Sequence, residues 1–453
     1  MSVPATDDHS LVSDLAELAG NDNWAFRSWA AREYSHGLFQ YPAMMVPQMQ
    51  RELMDRLTRG SEALSAYDPF VGSGTTMSEA MLSGLDFLGS DINPLAVLLC
   101  RAKSGPFFID ALFAAGDRVV AGALESRKTQ IALEWSGWDK WFRRDVAIGL
   151  SRLRRAIQRE RLHSTRQFLW VSMAETVRLV SNSRTSTVKL HIRPAKEIAL
   201  RKIDVVEMFR KIFARNLANF RDQRDTLRER ELLTTRGEYA GDITVHLHNV
   251  SDGPCSEDES MRCDVLVTSP PYGDNATTVP YGQHAFLPLQ WIDLEDIDED
   301  ADERFLASTH AIDSMSLGAP RRGALDAVVP IRAISPAFDR ALSQLADQPP
   351  DRAMRVAAFW RDLDGSLDHI LAQLSDGALM AWTVGNRSVG GLRVPMDEIL
   401  EELLVHRGCK RITTLQRDIP DCRKRMASRN SVAATMNAER VLVLRHVHHE
   451  QHG

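Results

Sequence analysis

A glycine-rich turn at the end of a short apolar strand constrains this chain more than any other feature of its sequence. Residues 63–67 have the strand pattern, residues 68–76 hold the turn, and a helical run follows as far as Gly84. Residues 86–91 predict a second strand, which ends in the acidic side chain of Asp91. Because strand, glycine turn, helix and strand in this order open a doubly wound sheet, we predict an α/β fold.

The turn itself predicts a nucleoside pocket. Gly72 and Gly74 permit a tight bend, and the helix that follows presents free N–H groups at its N-terminus. Asp91 stands 19 residues after Gly72, where a carboxylate can accept both hydroxyl hydrogens of a ribose. The turn lacks both the third glycine of a dinucleotide motif and the Gly-Lys-Ser/Thr of a phosphate loop. We therefore expect a nucleoside-containing cofactor; the alternative is a tight turn without a ligand.

A second unusual segment, Ser269-Pro270-Pro271-Tyr272, follows the apolar strand pattern of residues 264–268. Neither proline has an N–H with which to extend the strand, so the pair fixes a rigid corner at the carboxyl end of the sheet, where ligands bind. Ser269 and the Pro270 carbonyl can accept hydrogen bonds from an exocyclic amine, and Tyr272 offers a stacking face. Taken alone, the segment is more simply a proline-stiffened loop.

Sheet and helix patterns continue in the second half of the chain. Residues 243–248, 378–384 and 440–447 predict strands, and residues 351–376 and 394–408 predict helices. These patterns extend the α/β alternation beyond the two turns.

Taken together, residues 68–76 and 268–272 resemble the cofactor and catalytic motifs of amino-methylating DNA methyltransferases. These enzymes use S-adenosyl-L-methionine to methylate cytosine N4 or adenine N6, and Ser-Pro-Pro-Tyr is typical of the cytosine N4 enzymes. Residues 36–42, 385–387, 417–420 and 439–442 are similar to further motifs of the family. The resemblance covers about residues 23–100 and 243–447, and it implies a Rossmann-like methyltransferase sheet with a largely helical inserted subdomain.

The resemblance also implies the roles of individual residues. The implied catalytic residues are Ser269, Pro270, Pro271 and Tyr272. The implied cofactor-binding residues are Tyr41, Asp68, Pro69, Phe70, Gly72, Ser73, Gly74, Thr75, Thr76, Asp91, Ile92, Asn93 and Asn249. Asp68 would favour the sulfonium cation or bind the amino group of the cofactor, and Asn249 stands where the family more often has aspartate. The methyl group would pass directly to the amine of a flipped base, without a metal.

A basic helical stretch separates the two motifs. Residues 143–236 contain 23 Lys and Arg against 10 Asp and Glu, a net charge of +13, which leaves −19 for the rest of the chain. In the family, target recognition can sit between the two motifs, so we expect residues 105–241 to bind DNA phosphates. Arg184, Lys189 and Arg193 are the candidate contacts. The alternatives are solvated surface helices, or a recognition loop within residues 293–350, which their acidity disfavours.

The expected organisation follows from these segments. We predict a flexible N-terminus (1–22), a cofactor-binding half (23–104), the insertion (105–241), a catalytic half (242–447) and a surface tail (448–453) whose histidines hold no metal. No apolar run approaches a membrane span, residues 1–20 carry no signal pattern, and the five cysteines form no Cys-x-x-Cys pair. These features predict a cytoplasmic protein, and the family resemblance implies a prokaryotic, nucleoid-associated one.

The expected function is site-specific methylation of cytosine N4 in double-stranded DNA, in restriction–modification or defence, with a cognate nuclease as a possible partner. The alternatives are adenine N6 methylation of DNA, guanine N2 methylation of RNA, and a non-catalytic DNA-binding homologue. All the catalytic alternatives require the corners near Gly72 and Pro270 to face one pocket.

Overall fold

A seven-stranded sheet organises the computed structural model, which describes residues 8–20, 24, 33–60, 64–275, 278–319, 321–419 and 438–447. The strands are β1 (Ser65–Asp68), β2 (Asp86–Asp91), β3 (Ile243–Leu247), β4 (Cys263–Thr268), β5 (Leu374–Val384), β6 (Arg387–Val389), β7 (Leu392–Val394), β8 (Lys410–Asp418) and β9 (Ala438–Arg445). The sheet has the order β3-β2-β1-β4-β5-β9-β8, and β6 and β7 form a separate antiparallel hairpin.

The strand order reverses between β1 and β4. The chain moves outward from β1 through β2 to β3 and then returns to place β4 on the other side of β1, with all these neighbours parallel. Strand β5 continues the parallel set, whereas β9 is antiparallel to both β5 and β8. This mainly parallel, doubly wound sheet confirms the predicted fold class. Ligands bind where the order of such a sheet reverses, so β1 and β4 are the strands to inspect.

Seventeen α-helices are described. They are α1 (Asp8–Gly20), α2 (Pro47–Leu57), α3 (Thr75–Leu82), α4 (Pro94–Lys103), α5 (Ile109–Glu125), α6 (Trp138–Trp141), α7 (Arg144–Ile157), α8 (His163–Val180), α9 (Ala195–Leu200), α10 (Val205–Glu229), α11 (Tyr281–Leu289), α12 (Ala311–Met315), α13 (Ala324–Ala327), α14 (Val329–Ile334), α15 (Pro336–Gln344), α16 (Pro350–Leu371) and α17 (Met396–His406). Among the described residues, no helix is long and apolar enough to cross a membrane.

Helices cover both faces of the sheet. Successive residues of a strand point to opposite faces, so Val265 and Val267 join one hydrophobic cluster and Leu266 joins the other. The first cluster contains residues of α1–α5, α7, α8, α10 and α11, and the second contains residues of α13–α17. Burial on both faces explains why the central strands have nearly continuous apolar sequences.

The helices between α4 and β3 do not have a separate hydrophobic core among the described residues. Trp170 of α8 and Phe213 of α10 belong to the same cluster as Val265 of the sheet. Helices α5 and α10 approach closely, because a Cβ on Gly116 would lie 2.1 Å from a ring carbon of Phe213. The stretch expected as an inserted subdomain is therefore helical, but its core is continuous with that of the sheet.

The N-terminal segment is ordered where it is described, which corrects the expectation of a flexible N-terminus for residues 8–20. These residues form α1, whose Leu11, Leu15 and Leu18 are buried, because their spacing makes one apolar stripe. Asp8 at its start pairs with Lys410 and Arg445, at 2.5 and 2.7 Å. Residues 1–7, 21–22 and the tail at 448–453 lie outside the described residues.

Candidate active site

A cavity of about 560 Å³ opens at the carboxyl ends of β1 and β4. Its walls include residues 41–45, 69–73, 91–93, 248–250, 269–272 and 385–388, together with Thr75, Asn275, Tyr281 and Glu439. The two strands are direct neighbours, with Ala66 opposite Val265 and Tyr67 opposite Leu266. The glycine turn and the Ser-Pro-Pro-Tyr corner therefore line one pocket, as the sequence required.

The glycine turn is held in an unusual backbone conformation. Gly72 and Gly74 have φ angles of 49° and 72°, in the left-handed region that favours glycine. A Cβ on Gly74 would lie 2.8 Å from the sulfur of Cys100, so the turn also needs glycine for space. The buried Lys103 reaches back from α4 and donates from Nζ to the Ser73 carbonyl oxygen at 2.6 Å. Burial lowers the pKa of Lys103 to about 8.

Asp91 connects the end of β2 to the turn. Its Oδ2 accepts a hydrogen bond from the Gly72 N–H at 2.9 Å, and its Oδ1 accepts one from the Asn93 N–H at 2.8 Å. Burial raises the pKa of the Asp91 carboxyl to about 6, although these two hydrogen bonds act in the opposite direction. Each carboxylate oxygen has a second lone pair, so Asp91 can still accept hydroxyl hydrogens from the cavity that it lines.

Asp68 lies behind the turn and not in the cavity wall. Its Oδ1 accepts hydrogen bonds from Thr268 Oγ1 at 2.6 Å and from the Phe70 N–H at 3.0 Å, and its side chain is fully buried. Burial raises the pKa of Asp68 to about 6. Asp68 thus joins the end of β1 to the end of β4. Of the catalytic and cofactor-binding residues predicted from the sequence, Asp68, Gly74 and Thr76 do not line the cavity, and the others do.

Tyr41 closes another side of the cavity. Its ring stacks on Tyr281 of α11, with centroids 5.7 Å apart and planes inclined by 26°. Asn93 donates from Nδ2 to the Tyr41 hydroxyl at 3.0 Å, while its Oδ1 accepts from the Leu95 N–H and caps α4. The segment at residues 36–42 is therefore fixed against both the turn and α11. Tyr281 was not identified from the sequence, and no motif there marks it.

Asn249 follows the end of β3 and lines the cavity together with Ile92 and Val250. Its Oδ1 accepts from the Ser251 N–H at 3.2 Å, and its Nδ2 donates to the Met315 carbonyl at 3.5 Å. This part of the wall combines apolar side chains with one amide, which suits a planar polar ring.

The Ser-Pro-Pro-Tyr corner carries a short series of hydrogen bonds. Ser269 Oγ lies 3.2 Å from Tyr272 Oη, and Tyr272 Oη lies 3.5 Å from Glu439 Oε1. Burial, with a contribution from the charge of Glu439, raises the pKa of Tyr272 well above its usual range, so the phenol keeps its proton. The pairing of β9 with β5 brings Glu439 here. From the sequence, Glu439 was predicted to lie in a family motif but not in the site.

Arg387 is a second cavity-lining residue that the sequence placed only in a motif. Its guanidinium lies against Gly273, where an added Cβ would be 1.6 Å from Arg387 Nη1. The same nitrogen lies 3.5 Å from the Asp274 carboxylate. Gly273 has a φ of 139°, so the residue after the Ser-Pro-Pro-Tyr corner must be small and conformationally free.

Comparisons with known proteins agree with this arrangement. No protein-family model matches the chain. Type II methyltransferase M.MvaI of Kocuria varians is 28% identical over 462 residues, which cover 97% of each protein. This chain is similar to a type II methyltransferase over almost its whole length. The family resemblance stated from the motifs is confirmed, and the protein is a methyltransferase.

Two further similarities are more limited. Type II methyltransferase M.MjaII of Methanocaldococcus jannaschii is 30% identical over 80 residues, 18% of this chain and 15% of that protein. The rRNA methyltransferase aviRa from Streptomyces viridochromogenes covers 94% of this chain and 93% of its own, with 11% identity and a TM-score of 0.28.

The three candidate DNA contacts of this methyltransferase are not equivalent. Residues 183–192 form a hairpin closed by a bridge between Ser183 and Ile192, and we call it the basic hairpin. Arg184 and Lys189 are exposed on it. Arg193 instead donates to the Ser183 carbonyl at 3.2 Å and pairs with Glu197. Arg193 therefore stabilises the hairpin rather than extending from it.

The basic hairpin lies beside the cavity. The Leu190 N–H donates to Gln283 Oε1 at 3.3 Å, and Gln283 is in α11, whose Tyr281 lines the cavity. This contact places the exposed Arg184 and Lys189 on the same side of the methyltransferase as α11.

An acidic segment at residues 293–298 neutralises part of the basic stretch. Asp293 pairs with Arg154, and Asp296 pairs with Arg166 at 2.7 Å. The indole N–H of Trp170 also donates to Asp296 Oδ2 at 2.7 Å. Part of the net charge of +13 counted along the sequence is therefore neutralised by acidic residues of the methyltransferase itself.

Proposed function

We propose that this methyltransferase transfers a methyl group from S-adenosyl-L-methionine to the exocyclic N4 amine of a cytosine in double-stranded DNA, as part of a restriction–modification or defence system. The observation that carries the proposal is the shared cavity, which has a nucleoside-type carboxylate on one wall and an amine-accepting corner on another. The homology to type II methyltransferases supports the same reaction class.

The cavity residues fit the chemistry of this cofactor. Asp91 offers free lone pairs to ribose hydroxyls, and the amide of Asn249 lies among the apolar side chains Ile92 and Val250 for an adenine. Gly72 leaves its cavity side open, because a Cβ there would meet no atom closer than 3.5 Å, in Tyr41. Tyr41 and the turn would enclose the methionine end. When bound, this cofactor supplies an electrophilic methyl group on a sulfonium.

The Ser-Pro-Pro-Tyr corner would position the amine. The Ser269 hydroxyl and the Pro270 carbonyl accept the two N–H groups, and this directs the nitrogen lone pair away from both acceptors and toward the methyl group. Tyr272 would stack on the extruded base. Alignment of this kind can supply about 7–11 kcal/mol of barrier reduction in well-oriented cases, so no strong general base is needed.

DNA would approach across the face that carries the basic hairpin. Arg184 and Lys189 are free to neutralise phosphates there, which supplies sequence-independent affinity and holds the duplex while one base is extruded. The acidic segment at 293–298 packs against the insertion, so it does not compete for that role.

The decisive experiment is methyl transfer from labelled S-adenosyl-L-methionine to plasmid DNA and to RNA, followed by mass spectrometry of the nucleosides. We expect N4-methylcytosine from DNA and no label in RNA. We expect Ser269→Ala to lower the single-turnover rate at least 100-fold, since it removes one of two amine acceptors and misaligns the nitrogen.

The outcomes separate the remaining possibilities. Detection of N6-methyladenine would support the same mechanism with adenine, and not cytosine, as the target base. Label in RNA alone would replace the substrate, and binding of cofactor and DNA without transfer would make this chain a non-catalytic homologue. As a control, Ser260→Ala changes a serine whose hydroxyl donates to Asp258 in a surface turn, and it should leave the rate unchanged.

A further inference from the structure

The two carboxylate oxygens of Glu439 contact different groups, one in the Ser-Pro-Pro-Tyr corner and the other in the buried side chain of Arg417. Glu439 Oε1 faces Tyr272 Oη at 3.5 Å, and Glu439 Oε2 accepts from Nη2 of Arg417. The Arg417 and Glu439 side chains are only 5% and 17% exposed, respectively. The carboxylate is thus fixed with a different partner for each oxygen.

This division sets the direction of the hydrogen bonds that run to Ser269. An ionised carboxylate accepts hydrogen bonds and donates none, so the Tyr272 phenol must donate to Glu439. The phenol has only one proton and can then only accept from Ser269, whose Oγ is 3.2 Å away. Ser269 therefore directs its proton to Tyr272 and keeps its lone pairs for the cavity.

We propose that Glu439 is a positioning residue, which fixes the donor direction of the Ser269–Tyr272–Glu439 chain and so commits Ser269 to accept a hydrogen bond from the substrate amine. The inference rests on the proposed function. A serine that accepts an N–H leaves the nitrogen lone pair free for the methyl group. A serine that donates would bind that lone pair instead, and it would favour a carbonyl oxygen or ring nitrogen over an amine.

We expect the variant Glu439→Gln to reverse the donor direction of the hydrogen bonds between Glu439, Tyr272 and Ser269. Arg417 has only donors, so the amide oxygen of glutamine is drawn toward the guanidinium and the amide NH₂ is left facing Tyr272. That NH₂ donates to the phenol, the phenol donates to Ser269, and Ser269 donates into the cavity. We expect the single-turnover methylation rate to fall about 100-fold, which is the cost of a misdirected reacting group.

Two controls separate direction from stability. Binding of S-adenosylhomocysteine and of DNA by Glu439→Gln should stay within about threefold of the unsubstituted protein, because neither contact uses the direction of the chain. Glu439→Asp keeps a carboxylate that can only accept, so it should recover most of the lost rate. A wild-type rate in Glu439→Gln, or an aspartate variant as slow as the glutamine variant, overturns the proposal.

A double-mutant cycle with Tyr272→Phe gives the sharper test. Phenylalanine keeps the stacking ring and removes the hydroxyl through which Glu439 acts. If Glu439 acts through Tyr272, Glu439→Gln should cost less than about threefold in the Tyr272→Phe background. Equal costs in both backgrounds would show an independent structural role and overturn this proposal alone. Absence of methyl transfer by the unsubstituted chain would overturn the proposed function as well.

Discussion

The carboxyl edge of the sheet and the basic insertion use their polar residues differently. At the sheet edge, backbone turns direct Asp91 and Ser269 toward a common cavity. In the insertion, Arg154 and Arg166 are directed toward Asp293 and Asp296 of the same chain. The first region presents its polar groups to a cavity, whereas the basic side chains of the second partly form ion pairs with acidic residues of the same protein.

This difference shows which sequence features predict a functional site without knowledge of the complete fold. A glycine or proline turn fixes the local backbone, so its meaning does not depend on distant residues. A charge has no fixed partner in the sequence, and its availability depends on which opposite charges the fold brings near it. Arg193 and Arg210 illustrate this, because each pairs with a glutamate of its own region. A net charge along the chain therefore overstates the charge available to DNA.

The largest expected effect tests whether the acidic segment at residues 293–298 stabilises the protein by pairing with basic residues of the insertion. We expect Asp296→Ala to lower the free energy of unfolding by about 3 kcal/mol, because it removes the carboxylate that accepts hydrogen bonds from the half-buried Arg166 and from the buried indole N–H of Trp170. Urea unfolding measures this loss. Glu295→Ala, at an exposed neighbouring position, is the matched control and should change stability little.

The same variant has a pH signature. Burial acts to raise the pKa of Asp296, but hydrogen bonds from Arg166 and Trp170 hold it below its usual value. The stabilisation by Asp296 is therefore present above the unfolded pKa near 4 and is lost as pH falls through the lower folded value. The difference between the two proteins should shrink in acid. A constant difference would mean that the packing of Asp296, and not its charge, holds the segment.

The second-largest expected effect tests whether the cavity at the sheet edge binds the cofactor. We expect Asp91→Ala to weaken binding of S-adenosylhomocysteine about 100-fold, because it removes the acceptor for the ribose hydroxyls and also releases the Gly72 N–H. Isothermal calorimetry measures the affinity. Asp86→Asn changes the same residue type at the opposite end of β2, where Oδ1 accepts from the Asp242 N–H, and this variant should bind S-adenosylhomocysteine normally.

Asp91 also predicts how binding depends on pH. Burial raises its folded pKa to about 6, and hydroxyl donors favour the ionised form. Affinity should therefore decline as pH falls below about 6 and stay constant above about 7. Asp91→Asn should lose this dependence. If the asparagine variant binds as tightly as the unsubstituted protein at pH 7.5, Asp91 only braces the turn.

The two regions also differ in how far the sequence predicted them. The strands at residues 86–91 and 264–268 were predicted within one residue of their observed bounds, because turn residues mark their ends. The antiparallel edge strand β8 was missed. Most of its residues are not buried, so it lacks the apolar pattern of a central strand. The N-terminal helix α1 was also missed, since it depends on packing against that same edge.

Within the site, the residues that were missed come from distant parts of the chain. Glu439 is 167 residues from Tyr272 and reaches it only because β9 pairs with β5. Lys103 meets Ser73 because α4 folds back onto the turn. Such contacts follow from the completed topology and from no local pattern. Asp68 was predicted to bind the cofactor, but its place behind the turn depends on its hydrogen bond with Thr268 of the neighbouring strand.

The smallest expected effect concerns the insertion's remaining charge. Arg184 and Lys189 are exposed on the basic hairpin, which α11 holds beside the cavity. We expect the double variant Arg184→Ala/Lys189→Ala to weaken DNA binding about tenfold and to reduce the slope of log K against log salt by about two, one for each lost phosphate contact. Binding of S-adenosylhomocysteine should not change, because neither residue lines the cavity.

The matched control for the basic hairpin is Lys211→Ala. This exposed lysine of α10 lies 3.5 Å from Glu207, so its charge is already partly compensated within the helix. If DNA binding used the net charge of the insertion as a whole, Lys211→Ala would lower the salt slope as much as each hairpin substitution. A change confined to Arg184 and Lys189 would instead show that the fold leaves a small, positioned part of the basic stretch for DNA. The difference between the two regions would then be one of degree, because the hairpin, like the sheet edge, presents fixed side chains to one ligand.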